Sequence, residues 1–137
     1  MNTEDYQHLL RRFCEQERLD PDDLLRDGLL TVDGRRVAMV FEPGISADHI
    51  LVRVELGEIP GRILVECLRA MLVTNHQWGL DGSVFSLQPD STRAVLTTRI
   101  LADASTTAPE LRRAFDSLGV LLRYWSSTVD ELQLAVS

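Results

Sequence analysis

A chain of 137 residues, 45% hydrophobic and 26% charged, can bury a core without disulfides or a metal, so one domain over residues 1–137 is expected. A formal charge of −7 and a pI near 4.9 exclude a general nucleic-acid binder and disfavour an anionic membrane surface. A neutral or basic protein partner suits such a charge.

The opening stretch MNTEDYQHLL is polar and acidic, so no secretory leader is expected. No apolar run reaches the roughly 20 residues of a membrane helix, and a cytoplasmic protein is expected. Tyr6, Leu9, Leu10 and Phe13 recur at helical spacing and predict a first helix from about Asn2 or Thr3 to Glu17, with Thr3 read as its N-cap. RLDPDDLLRDG is polar and reads as a loop with at most a short helical turn. Residues 29–42 then read as a hairpin closed by Asp33-Gly34. Its second strand is apolar on both sides: Val37, Met39 and Phe41 point one way, Ala38 and Val40 the other. An antiparallel strand with one wet face should alternate, so something must cover the second face.

HILVRVELG alternates cleanly and predicts a half-buried strand. IPGRILVECLRAMLVTNHQWG predicts a helix with Gly79 just past its end and a stripe of Ile63, Leu64, Cys67, Leu68, Met71 and Leu72, widened by Ala70 and Val73. A second hairpin follows, with strands near Val84–Leu87 and Arg93–Leu101. Thr107, Pro109 and Glu110 open a long amphipathic helix with a capping box. The expected order is α-β-β-β-α-β-β-α, an α+β fold in which an antiparallel twisted sheet packs with helices.

Reactive motifs are absent from the sequence. It has no phosphate-cradling glycine loop and no nucleophile elbow. His8, His49 and His76 lack partners at ligand spacing, so no metal site, no catalytic residue and no cofactor is expected. Asp20-Pro21-Asp22-Asp23 lacks the glycine and terminal glutamate of a calcium loop. The arginine pairs at 11–12, 35–36 and 112–113 read as solvent-facing ion-pair partners. Cys14 and Cys67 fall on apolar helix faces and read as small buried hydrophobes in a reducing compartment. Trp125 lies in its helix's apolar stripe and reads as core; Trp78 reads equally as core or interface. The surplus is apolar surface, which points to a protein partner.

The pattern resembles the class I chaperones of type III secretion, the Tir chaperone family, over about Tyr6 to Leu132. LLTVDGRRVAMVFE is similar to that family's first hairpin and ILVRVELGEIP to its third strand. ILVECLRAMLVTNHQWGLDGSVFSL is similar to its helix–Asn–strand passage, with Leu68, Leu72 and Asn75 at the paired leucines and asparagine. The closing strand and helix carry Phe115 and Trp125 at its aromatic positions. The charged ERLDPDDLLRDG is longer than the family's usual link.

The resemblance implies a homodimer that uses no nucleotide, is not an enzyme, and holds the N-terminal segment of a secreted effector extended and soluble for export. It implies a dimer interface at Leu64, Leu68, Met71, Leu72 and Trp78. It implies effector contacts at Phe13, Leu29, Leu30, Val32, Val37, Met39 and Phe41, and the secretion ATPase as a further partner. It implies no nucleic acid and no membrane insertion. A non-secretory dimeric scaffold or regulatory module of similar fold is the alternative reading, and a small enzyme or ligand-sensing domain a third.

Overall fold

The computed structural model describes residues 1–78 and 82–136, with the backbone alone at Trp78. Its elements are α1 (Thr3–Glu17), α2 (Pro21–Asp27), β1 (Leu29–Val32), β2 (Arg35–Val40), β3 (His49–Glu58), α3 (Leu64–Trp78), β4 (Ser83–Leu87), β5 (Arg93–Leu101) and α4 (Ala108–Ala135). A turn of 3-10 helix at Gly61–Ile63 leads into α3. The fold is α+β, with a five-stranded antiparallel sheet of order β1-β2-β3-β5-β4 packed against helices.

Local chemistry sets the element ends. Asn2, one residue ahead of the expected cap, takes the N–H of Asp5, and the Asp5 carboxylate takes the N–H of Asn2. This full capping box stands at the first helix. At α4, Thr107 Oγ1 accepts from the Glu110 N–H, but the Glu110 carboxylate takes the threonine hydroxyl and leaves the cap's own N–H. The passage read as a loop contains α2, capped by Asp20, begun by Pro21 and ended by Gly28 in the left-handed region. A side chain at Gly28 would meet the Met39 carbonyl at 2.6 Å, so glycine is required where α2 turns into β1. Asp33 and Gly34, both at positive φ, close the tight hairpin. Gly79, expected as the stop of α3, lies outside the described residues.

One face of the sheet is the core. Register pairs Val37 with Val54 and Met39 with Val52, so β2 turns these residues to the same side as Ile50, Val52 and Val54 of β3. They join Leu9, Leu10 and Phe13 of α1, Ile63, Cys67 and Met71, and Leu111, Phe115, Leu122 and Trp125 of α4. Phe13 stacks on Phe115 and Phe85 on Trp125, each pair 5.5 Å apart. Both cysteines are free and buried, and burial raises their thiol pKa. No helix among the described residues covers the opposite face of the sheet.

A side-chain amide fastens α3 to the sheet. Asn75 Nδ2 donates to the Phe85 carbonyl at 2.9 Å, and the Phe85 N–H donates to Asn75 Oδ1 at 2.7 Å. These backbone groups belong to the edge strand β4 and point away from β5, so at Phe85 the Asn75 amide bonds where a sixth strand would. Asn75→Ala would orphan a donor and an acceptor at a part-buried site. The expected loss is about 2 kcal/mol of stability, read from urea unfolding, with Asn75→Asp intermediate because it keeps the acceptor alone.

Candidate functional site: an open sheet edge beside a groove

The sheet's other edge is β1. A two-residue turn makes Val32–Arg35 and Leu30–Val37 the hydrogen-bonded pairs of this hairpin, so the N–H and C=O of Leu29 and Thr31 point outward. No hydrogen bond from these groups to another described residue is found. The edge is therefore able to accept an extended chain.

Beside it, a groove of about 540 Å³ runs between β1, α1 and α4. Phe13 and Phe115 form its floor, and Leu19, Leu30, Val32 and Val120 add apolar walls. Its rim is charged. Arg112 of α4 pairs with Glu17 of α1 and, at 3.0 Å, with Asp116. Arg123 reaches Asp33 of the hairpin turn at 3.3 Å. These exposed pairs hold α1, α4 and the turn in register but add little stability singly. The arrangement offers backbone hydrogen bonds, apolar contact and flanking charge, which is peptide-binding chemistry.

Of the seven residues expected to meet an effector, Phe13, Leu30 and Val32 line this groove, and Leu29 lies on the edge strand. Val37 and Met39 do not form a surface; they are 0% and 4% exposed in the chain's own core. Register on β3 decides this, and no single-strand pattern could. The outward side of β2 is Ala38 and Val40. Phe41 is half-buried and stacks on Tyr6 with centroids 4.9 Å apart.

Burial pushes the Tyr6 hydroxyl pKa up from 10.0 to about 12. The folded chain thus keeps a proton that the unfolded chain releases in that window. Stability from this group is intact below pH 10 and falls as the pH rises to 12. The expected loss is about 2–3 kcal/mol, and Tyr6→Phe should flatten this part of the urea-stability profile.

A second feature lies on α3. Val65, Leu72 and Val73 are 71%, 70% and 51% exposed, at i, i+7 and i+8 of one helix. Of the residues expected at a dimer interface, Leu72 belongs to this stripe. Leu64 and Leu68 are half-buried against the core, and Met71 is buried in it. The side chain of Trp78 lies outside the described residues. Val65 was missed because it sits beyond the stripe that the sequence marked, though its spacing to Leu72 was there to read. Among the arginine pairs, Arg112 forms the expected ion pairs, whereas Arg35 turns inward to the Leu56 carbonyl and Ser126. No helix among the described residues is long and apolar enough to cross a membrane.

No family model and no curated protein matches the chain. Its fold, however, has been solved in several protein–protein complexes. A chain of the ExsC–ExsE complex is similar over 90% of this chain and 92% of that one, with a TM-score of 0.67 and 18% identity. A chain of the HopA1–SchA chaperone–effector complex covers 91% and 97%, at 0.67 and 18%. The structure of the Yersinia pestis type III secretion chaperone SycH with a stable fragment of YscM2 covers 88% and 98%, at 0.59 and 20%. At these identities the likeness is one of fold.

Proposed function

We propose that this chain is a type III secretion chaperone of the Tir chaperone kind. In this reading residues 1–137 form one domain that pairs as a homodimer in the bacterial cytoplasm. It holds the N-terminal segment of a secreted effector in extended form, with no nucleotide and no chemical step. The observation that carries the reading is the open β1 edge at Leu29 and Thr31 beside a groove floored by Phe13 and Phe115. The fold shared with SycH and with a chaperone–effector complex supports it.

The physics suits the task. An edge strand binds any extended backbone, and apolar hollows then choose among side chains. Ordering the bound segment costs several kcal/mol, which apolar burial along the groove must offset. A client held without a globular fold needs no unfolding before export. Pairing through the α3 stripe would cover the exposed Val65, Leu72 and Val73.

Co-expression with the products of neighbouring reading frames, followed by native mass spectrometry, tests the proposal. The expected particle holds two copies of this chain and one client, bound through its N-terminal region. A homodimer that recruits none of those products would overturn the secretion reading and favour a scaffold.

A further inference from the structure

The helix-free face of the sheet lies across the sheet from the effector groove, and its chemistry is different. It carries two adjoining hollows. One, of about 810 Å³, holds Arg36 and Arg53 and includes Val95, which is buried outside the main core. The other, of about 390 Å³, holds Arg99 with Val40, Ile45 and Leu51. Register makes them neighbours, since Leu51 pairs with Arg99 and Arg53 with Thr97.

What sets Arg36, Arg53 and Arg99 apart is their gathering on one sheet face beside apolar side chains; like several other arginines of the described residues, they have no carboxylate partner of their own. Acidic residues outnumber basic ones 21 to 14 in the chain. Arg26, Arg112 and Arg123 have found carboxylates, and Arg35 has found a carbonyl and a hydroxyl. Arg36, Arg53 and Arg99 make no ion pair and no side-chain hydrogen bond among the described residues, although Glu55 and Glu42 share the two hollows. A guanidinium presents a planar fork of donors matched to a carboxylate. Beside these forks Ile45 is 87% exposed.

We propose that this outer sheet face is a second docking surface, fitted to a protein segment that carries carboxylates beside apolar side chains. The unpaired arginines would take the carboxylates, and Val40, Ile45 and Leu51 the apolar groups. A nucleic acid fits less well. It would extend beyond the arginines into the field of a −7 chain, whereas a short segment senses charge only within a Debye length of about 8 Å. The proposal does not rest on the effector reading, because it uses neither the β1 edge nor the α1–α4 groove.

Two short fluorescent peptides test it, one alternating glutamate with leucine and the other lysine with leucine. On net charge alone this chain should prefer the lysine peptide. The expected result is the reverse, by about tenfold in anisotropy titrations, weakening as salt is added. Amide shifts in NMR should concentrate on β2, β3 and β5. Arg53→Glu with Arg99→Glu should abolish the preference while leaving the circular dichroism unchanged, and Arg53→Gln with Arg99→Gln should weaken it without reversing charge. Equal or tighter binding of the lysine peptide would overturn the proposal. So would shifts confined to β1 or α3, tighter binding of an oligo-thymidine probe, or self-association that the arginine variants abolish.

Discussion

If the proposed homodimer pairs through α3, the unchanged protein should run in light scattering at twice the 15.4 kDa chain mass and a chain carrying Val65→Glu and Leu72→Glu as one chain. The two side chains are 71% and 70% exposed, so glutamate there meets water in the single chain and leaves its core intact. In a two-fold pair built on α3 the same positions face their own copies, so four carboxylates would converge on one apolar seam. Burying an unpaired charge costs several kcal/mol, and the dissociation constant should rise by about a thousandfold or more. Unchanged circular dichroism would show that the fold survived. A particle that kept its doubled mass would move the interface off α3. Glutamate at Leu68 or Met71 would be a poorer probe, because Met71 is buried and its replacement would unfold the chain.

Thr31→Pro should remove client binding by about tenfold or more and leave the protein folded. The Thr31 N–H points away from β2, so proline deletes no ladder bond of this chain. It does delete a donor that an added strand would use, and its ring occupies the approach to the edge. One lost hydrogen bond at an interface is worth about 1 kcal/mol, and the steric block adds to it. The comparison is best made on the co-expressed complex, with thermal melting of the free protein as the folding control. Full client binding by a well-folded Thr31→Pro chain would exclude strand addition at β1 and leave the groove side chains to carry the interaction.

Local signals in the sequence were enough for most elements. Arg93–Leu101 runs where the second hairpin pattern places its longer strand, and Thr107 caps the last helix as its spacing to Glu110 predicts. The helix α2 was legible in principle: Asp20, Pro21 and Gly28 are start and stop signals, but seven residues are too few for a periodicity to confirm them. The faces of β2 were not legible. Both sides of the strand are apolar, and only its pairing with β3 turns Val37 and Met39 inward. Phe13, Leu30 and Val32 were nominated by the family resemblance and not by any local pattern, and the structure brings the three together in one groove. Phe115 and Val120 complete the groove from nearly 100 residues further along the chain, a proximity that no local pattern carries. The unpaired arginines were equally hidden, since an ion pair depends on neighbours across strands.

The amide of Asn75 has a consequence for assembly. A sheet with two bare edges is a monomer for polymerisation: each addition exposes a fresh end, and growth has no natural stop. Here Asn75 blocks one edge at its middle by taking both backbone groups of Phe85, whereas β1 is unblocked among the described residues, so the molecule approaches monofunctionality in the polymer chemist's sense. Two such sheets meeting edge to edge would form a closed pair with no unblocked end left. A foreign strand taken up at β1 would leave that end occupied and the opposite one still interrupted at Phe85. A protein kept at high concentration with a bare strand edge can in this way remain a chain terminator and not become the seed of a fibre.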